Sequence, residues 1–235
     1  MAGRLLIKVF FVLPFISTGF AQPPRENYSE IYSTDYQRAV QFLVKENRLD
    51  SIILYHGLNP REVTAIAFPE LIRYNSIQDQ IETFALESLY IRYGKNYADF
   101  SVGKFQIKPS FAECIEIDFI KSFGYKNLST EYKIDAIDTV QNPENRLKRL
   151  KRIKKEIGMA NYLCMFWKVM TEKYPSWKSE EEKIKFFACA YNSGYRKSKK
   201  ELEPHISKKF FHTGLSITSK KYCYSDISWY YFQHP

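Results

Sequence analysis

Apolar positions recur at helical spacing along nearly the whole chain. Between Tyr36 and Leu49 they include Val40, Leu43 and Val44, which predicts an amphipathic helix. Asn59-Pro60-Arg61-Glu62 then supplies an N-cap, a proline suited to the first helical position and an acid three residues after the cap. The helix it opens carries Val63, Ile66, Ala67 and Glu70 on one stripe. Ala65, Phe68, Leu71 and Ile72 are apolar on its other sides, so it is expected to be buried all round. Ile77 to Tyr93 predicts a further helix, stopped by Gly94. Residues 98–113, ADFSVGKFQIKPSFAE, read as a loop ending in a second cap, Ser110 to Glu113, and CIEIDFIKSF continues helically. Residues 124–142 are polar and read as loop with short helical turns. Asn142-Pro143 opens ENRLKRLKRIKKEIG, followed by the apolar MANYLCMFWKVM. Ser179 to Glu182 is a third capping box, whose helix puts Ile184, Phe187, Ala188 and Tyr191 on one face and closes at Gly194. Beyond residue 200 the chain is basic and aromatic, and SDISWYYF reads as a short strand or an irregular cover. The expected fold is mainly α.

One carboxylate interrupts the most apolar of these helices. In AIAFPELIRYN, Glu70 stands where a charge is costly unless it is paired. Pro69 removes the backbone hydrogen bond to Ala65 and should kink or end the helix, which would aim Glu70 outward into a cleft. Two readings follow: a desolvated acid kept for proton transfer, or a structural carboxylate paired with a cation such as Arg73.

The first 21 residues differ from the rest. Arg4 and Lys8 precede an apolar run from Val9 to Phe20, and Gly19-Phe20-Ala21 offers small residues for cleavage. This reads as a signal peptide, too short and wrongly flanked for a spanning helix, so the product is expected to be exported, periplasmic or secreted. Without it the formal charge falls from +9 to +7, which suits an anionic partner as well as solubility. Cys114, Cys164, Cys189 and Cys223 permit two disulfides or remain buried thiols. No CxxC, HExxH or Cys/His cluster points to a metal, and no cofactor is implied.

Three segments, in order, carry a resemblance. GLNPREVTAIAFPELIRYN, GKFQIKP and AYNSG resemble the signatures of soluble lytic transglycosylases and their g-type lysozyme relatives. In that family a proline lies ten residues before the catalytic glutamate, as Pro60 does before Glu70. Gly103, Phe105, Gln106 and Pro109 match the second signature, and Ala190, Tyr191, Asn192, Ser193 and Gly194 the third. The resemblance spans Leu58 to Arg196. It implies a lysozyme-like helical domain over 22–200, between the signal peptide at 1–21 and a C-terminal extension, 201–235, packed on the same domain. Leu71 departs from it, since serine usually follows the glutamate. The stretch from Glu70 to Gln106 is also long, as if a helix were inserted, and it contains a rival dipeptide, Glu87-Ser88, nineteen residues before Gln106.

What the resemblance implies is cleavage of peptidoglycan glycan strands at the MurNAc-GlcNAc β-1,4 bond. One glutamate, Glu70, acts first as acid and then as base, and the C6 hydroxyl closes a 1,6-anhydro sugar. Gln106 and the backbone around Phe105 would orient the sugar, Tyr191 would contact the sugar or Glu70, Ser101 the acetamido group, and Asn192 would hold the helix end. If Asp79, Glu82 or Asp99 activates water, the outcome is lysozyme-type hydrolysis instead. A wall-binding module without turnover and a surface adhesin or assembly factor are the other classes left open. In NRLKRLKRIKKEIG, residues 145–158, seven Lys/Arg over 146–155 alternate with Leu147, Leu150, Ile153 and Ile157. That pattern predicts an apolar stripe with a solvated cationic face, or contact with an anionic wall or membrane surface. Nucleic acid is not an expected partner.

Overall fold

In the computed structural model, which describes residues 26–74, 76–213 and 220–234, the chain is mainly helical. The expected signal peptide lies outside the described residues. At the centre is α8 (Glu156–Lys173), the apolar MANYLCMFWKVM segment, with ten buried residues from Met159 to Met170. Around it pack α6 (Pro109–Tyr132), α2 (Asn47–Tyr55), α7 (Pro143–Ile153) and α3 (Pro60–Ala65).

The break expected at Pro69 is present. The chain leaves α3 at Ala65, turns through Ile66 and Ala67, and starts α4 (Phe68–Arg73). Proline in the first turn of α4 loses nothing, because the N–H it lacks would have no helical acceptor there. Asn59 caps α3 through Arg61 N, and Val63 to Ile72 are buried as the pattern required. A long helix, α5 (Ser76–Tyr93), ends at Gly94 with φ +85°. The helix α9 (Glu180–Ser193) is capped by Ser179 and closed by Gly194 at φ +101°.

Several expectations are corrected. The Tyr36–Leu49 helix is two helices, α1 (Tyr28–Lys45) and α2, broken at Glu46. Ser110 is not a cap: Pro109 opens α6 itself, and Ser110 bonds Asp99 instead. Residues 124–132 are helical, because α6 runs on to Tyr132 through a kink at Gly124, φ +83°, a conformation glycine alone adopts cheaply. A 3-10 turn at Ala136–Thr139 follows. The tail is neither strand nor irregular cover over SDISWYYF. After α10 (Lys199–Ile206) and a two-stranded antiparallel pair, β1 (Lys209–Phe211) and β2 (Tyr222–Cys223), those residues form α11 (Tyr224–Gln233). This helix packs on α9, α3 and α4, with Tyr231 stacked on Phe68 at 3.9 Å.

The basic run also folds differently from its pattern. In α7 the buried positions are Asn145, Arg146, Arg149, Leu150 and Ile153, while Leu147 is exposed, as is Ile157 in α8. Arginines point inward because acids and open carbonyls await them. Arg146 caps the end of α5 through the carbonyls of Ile91 and Arg92. Arg149 meets Glu116 of α6.

Candidate functional site

A cleft of about 530 Å3 opens beside the break between α3 and α4. Glu70, Ser101, Gln106, Tyr191 and Asn192 all line it. Three separate stretches of chain thus converge: the start of α4, the loop 98–108, and the C-terminal turn of α9.

Local structure explains each position. Glu70 falls in the first turn of α4, which the break at Ile66-Ala67 turns toward the cleft; its side chain is almost wholly buried. The loop is held by a bridge between Val102 and Ile107, whose two backbone bonds pinch Gly103–Gln106 into a tight turn. Gly103 takes φ +67°, and Gln106 is itself left-handed at φ +51° with its side-chain amide donating to Gly103 O at 2.8 Å. Phe105 is fully buried and its carbonyl accepts from Tyr191 OH at 2.7 Å. That carbonyl therefore ties the loop to α9, and Phe105 does not line the cleft; the residue expected to help orient sugar instead anchors Tyr191. Ser101 sits where the loop enters the cleft.

Glu70 has several polar partners. Arg73 Nη2 lies 2.5 Å from Oε2, and Asn192 Nδ2 donates to Oε1 at 3.2 Å. The phenol of Tyr224, from α11, reaches Glu70 and also donates to Ile66 O at 3.2 Å. Burial first, then the Glu70 charge, push the Tyr224 hydroxyl well above its ordinary value, so it stays a neutral hydroxyl. For Arg73, burial works against the charge but the Glu70 carboxylate outweighs it and holds the guanidinium above its usual value. Asn192 does more than finish its helix: it fixes the carboxyl. Asn192 suits either protonation state of Glu70, and Tyr224 the protonated one. The amide donates to Oε1 in both, and the Tyr224 oxygen can accept from a protonated Glu70 while its own hydrogen goes to Ile66.

Of the alternatives, Glu87 does not line the cleft; its carboxylate pairs with Lys154 at 2.5 Å. Asp99 lines it but accepts from Ser110 N and Oγ, at 3.2 and 2.8 Å, which secures the start of α6. The side chains of Asp79 and Glu82 lie outside the described part of the structure. Residues that sequence reasoning missed are Tyr224, Arg196 and Lys197. The last two stand one residue beyond the AYNSG segment, after Tyr195, so their place at the cleft was readable; Tyr224 carried no local signal. The four thiols are free, and burial pushes Cys164 up to about 12 and Cys223 up to about 11. Among the described residues no group of His, Cys, Asp or Glu is arranged to hold a metal ion, and no helix is long and apolar enough to cross a membrane.

No family model matches the chain, and neither a curated protein nor a solved structure shows significant similarity to it.

Proposed function

We propose that the protein is an exported, lysozyme-like lytic transglycosylase that cleaves peptidoglycan glycan strands, with Glu70 as both acid and base. The observation that carries this reading is the convergence of Glu70, Gln106 and Tyr191-Asn192, from three distant motifs, on one cleft. Sequence order alone did not require it.

In this reading a protonated Glu70 donates to the glycosidic oxygen, the C1–O bond breaks, and the GlcNAc 4-hydroxyl leaves. The substrate's own acetamido oxygen bonds C1 and steadies the cationic centre. Glu70, now a carboxylate held by Asn192, takes the proton from the C6 hydroxyl as O6 displaces the acetamido oxygen at C1. Glu70 ends protonated, so no water is consumed and no second carboxylate is needed. The usual glycosidase pair would need one. Asp99, tied to Ser110, is poorly placed to be it.

A wall-binding module without turnover is the second reading. The Arg73 ion pair favours it, since a carboxylate locked to a guanidinium is not a proton donor. Turbidity clearing of purified peptidoglycan by wild type and Glu70→Gln separates the two. Clearing by wild type that drops about 10²- to 10⁴-fold in the variant supports catalysis. Sedimentation of both with the wall and clearing by neither supports the module. Mass spectrometry of released fragments distinguishes anhydro from reducing ends.

A further inference from the structure

Glu70 and Arg73 sit one turn apart on α4 and both line the cleft, yet the two ends of the pair differ. The carboxylate side chain is 4% exposed and the guanidinium side chain 42%. They meet through Nη2 alone, and among the described residues the guanidinium makes no other hydrogen bond. It rests over the ring of Phe211, 5.7 Å from the centroid. Both bidentate edges of a guanidinium include Nη2, but Nη2 carries a second hydrogen, so one edge, shared with Nε or with Nη1, is left over for another carboxylate.

Lys197, also at the cleft, is an ammonium without a fork, and two further cations there already have partners. Arg196 is already engaged by both oxygens of Asp118, at 2.7 and 2.8 Å, and by Cys114 O. Lys108 stands 3.9 Å from Asp99. Arg73 is the arginine of this cleft with an open fork, and its partner is the proposed acid. Glu70 does not need it to stay in place, because Asn192 holds the carboxyl independently.

We propose that Arg73 is a latch that the substrate opens: a carboxylate on the glycan strand draws the guanidinium off Glu70 and leaves the acid free to take up a proton. This rests on the glycan-cleaving reading above. The exchange replaces one carboxylate–guanidinium pair by another; Glu70 takes its proton from hydronium or buffer in the bulk solvent, and the O–H bond so formed is the one covalent change. The ion pair that argues against catalysis becomes a resting state, and neutral strands fail to release it. Arg73 is a positioning residue acting through Glu70. Two carboxylates on such strands share the required chemistry: the lactyl group of MurNAc once its peptide is removed, and the acids of the stem peptide.

The test compares wild type, Arg73→Gln and Arg73→Lys on three substrates: strands with stem peptides, strands stripped to the free lactyl carboxylate, and stripped strands whose carboxyls are converted to amides. Wild type should cleave amidated strands with a kcat/KM at least tenfold lower than one of the carboxylate-bearing sets, and the faster set names the source. Arg73→Gln should treat all three within about twofold, and Arg73→Lys should keep part of the preference. Equal cleavage of all strands by wild type, or full preference in Arg73→Gln, overturns the latch. A binding arm is independent of turnover. Glu70→Gln, having lost the competing charge, should bind carboxylate-bearing strands several-fold more tightly than wild type. The gain should vanish in Glu70→Gln/Arg73→Gln and on amidated strands. If that pattern holds without cleavage by any protein, the catalytic reading fails and the latch stands. Cleavage with neither preference leaves the catalytic reading standing and removes the latch; absence of both cleavage and the binding pattern removes both. Thermal melts confirm that each variant is folded.

Discussion

Glu70–Arg73 and Glu116–Arg149 are both carboxylate–guanidinium pairs, and their surroundings separate them. Glu116 and Arg149 are fully buried between α6 and α7. Glu116 accepts from Arg149 Nε and Nη2, at 3.1 and 2.7 Å, and from Tyr162 OH at 2.5 Å. Arg149 also donates to Tyr90 OH and Asp138 O, and Tyr90 passes its own hydrogen to Glu113. Burial opposes the Arg149 charge, yet Glu116 outweighs it and holds the guanidinium far above its ordinary value. Donors and acceptors are used on every side, so nothing there can be exchanged. The cleft pair has the same chemistry with one face left open. A closed pair fixes how α6 and α7 pack; an open one can change partners.

The largest effect should come from breaking the closed pair. Arg149→Ala strips Glu116, a buried carboxylate, of its hydrogen-bonded counter-ion and leaves only Arg152 at 3.7 Å, and chemical denaturation should show a loss of about 3–5 kcal/mol. Arg73→Ala is the matched control. Its guanidinium is partly in solvent and truncating it opens Glu70 to the cleft, so the same measurement should show at most about 1 kcal/mol. Comparable losses at the two sites would erase the distinction.

The hydroxyls sharpen it next. Tyr162→Phe removes a hydrogen bond to a buried carboxylate and should cost about 1.5–3 kcal/mol of stability. Tyr224→Phe removes a neutral bond to Ile66 and the contact with Glu70, costing about 1 kcal/mol, but it should also slow strand cleavage. A stability loss larger at Tyr224 than at Tyr162 would place the closed network's importance in doubt.

The two regions were unequally legible in the sequence. The cleft was visible in outline because its parts are local: Asn59 and Pro60 start a helix, Pro69 breaks it, and Gly194 ends another. Each acts through its own backbone, and that is what a pattern of residue types encodes. Even the Arg73 pairing was readable, from helical spacing alone. The buried network was not. A periodicity reading puts leucine inside and arginine outside, yet in α7 Arg149 is buried and Leu147 exposed. The cause is non-local: Glu113 and Glu116 face α7 across the interface, and only the packed fold brings them there. Tyr224 escaped for the same reason. Nothing distinguishes it among eighteen tyrosines until α11 folds back against Ile66.

The smallest expected effect is the dependence of stability on acid, and it too divides along the comparison. Burial works against ionised Asp138, but hydrogen bonds from Arg152 and Lys148 outweigh it and hold its carboxyl below the ordinary value. On the cleft side burial likewise opposes the Asp118 charge, and Arg196 and Tyr195 outweigh it. A carboxyl depressed in the folded state binds fewer protons than in the unfolded chain. Its contribution is therefore complete above the ordinary carboxylate value of about 4 and is lost as pH falls through the folded value. Melting temperatures should drop between pH 5 and pH 3. Asp138→Asn should flatten that drop more than Asp118→Asn does, because Asp138 is more deeply buried and water screens Asp118 and its partner Arg196. The opposite ranking would mean that the cleft wall, rather than the packing of α6 on α7, is where this protein first yields to acid.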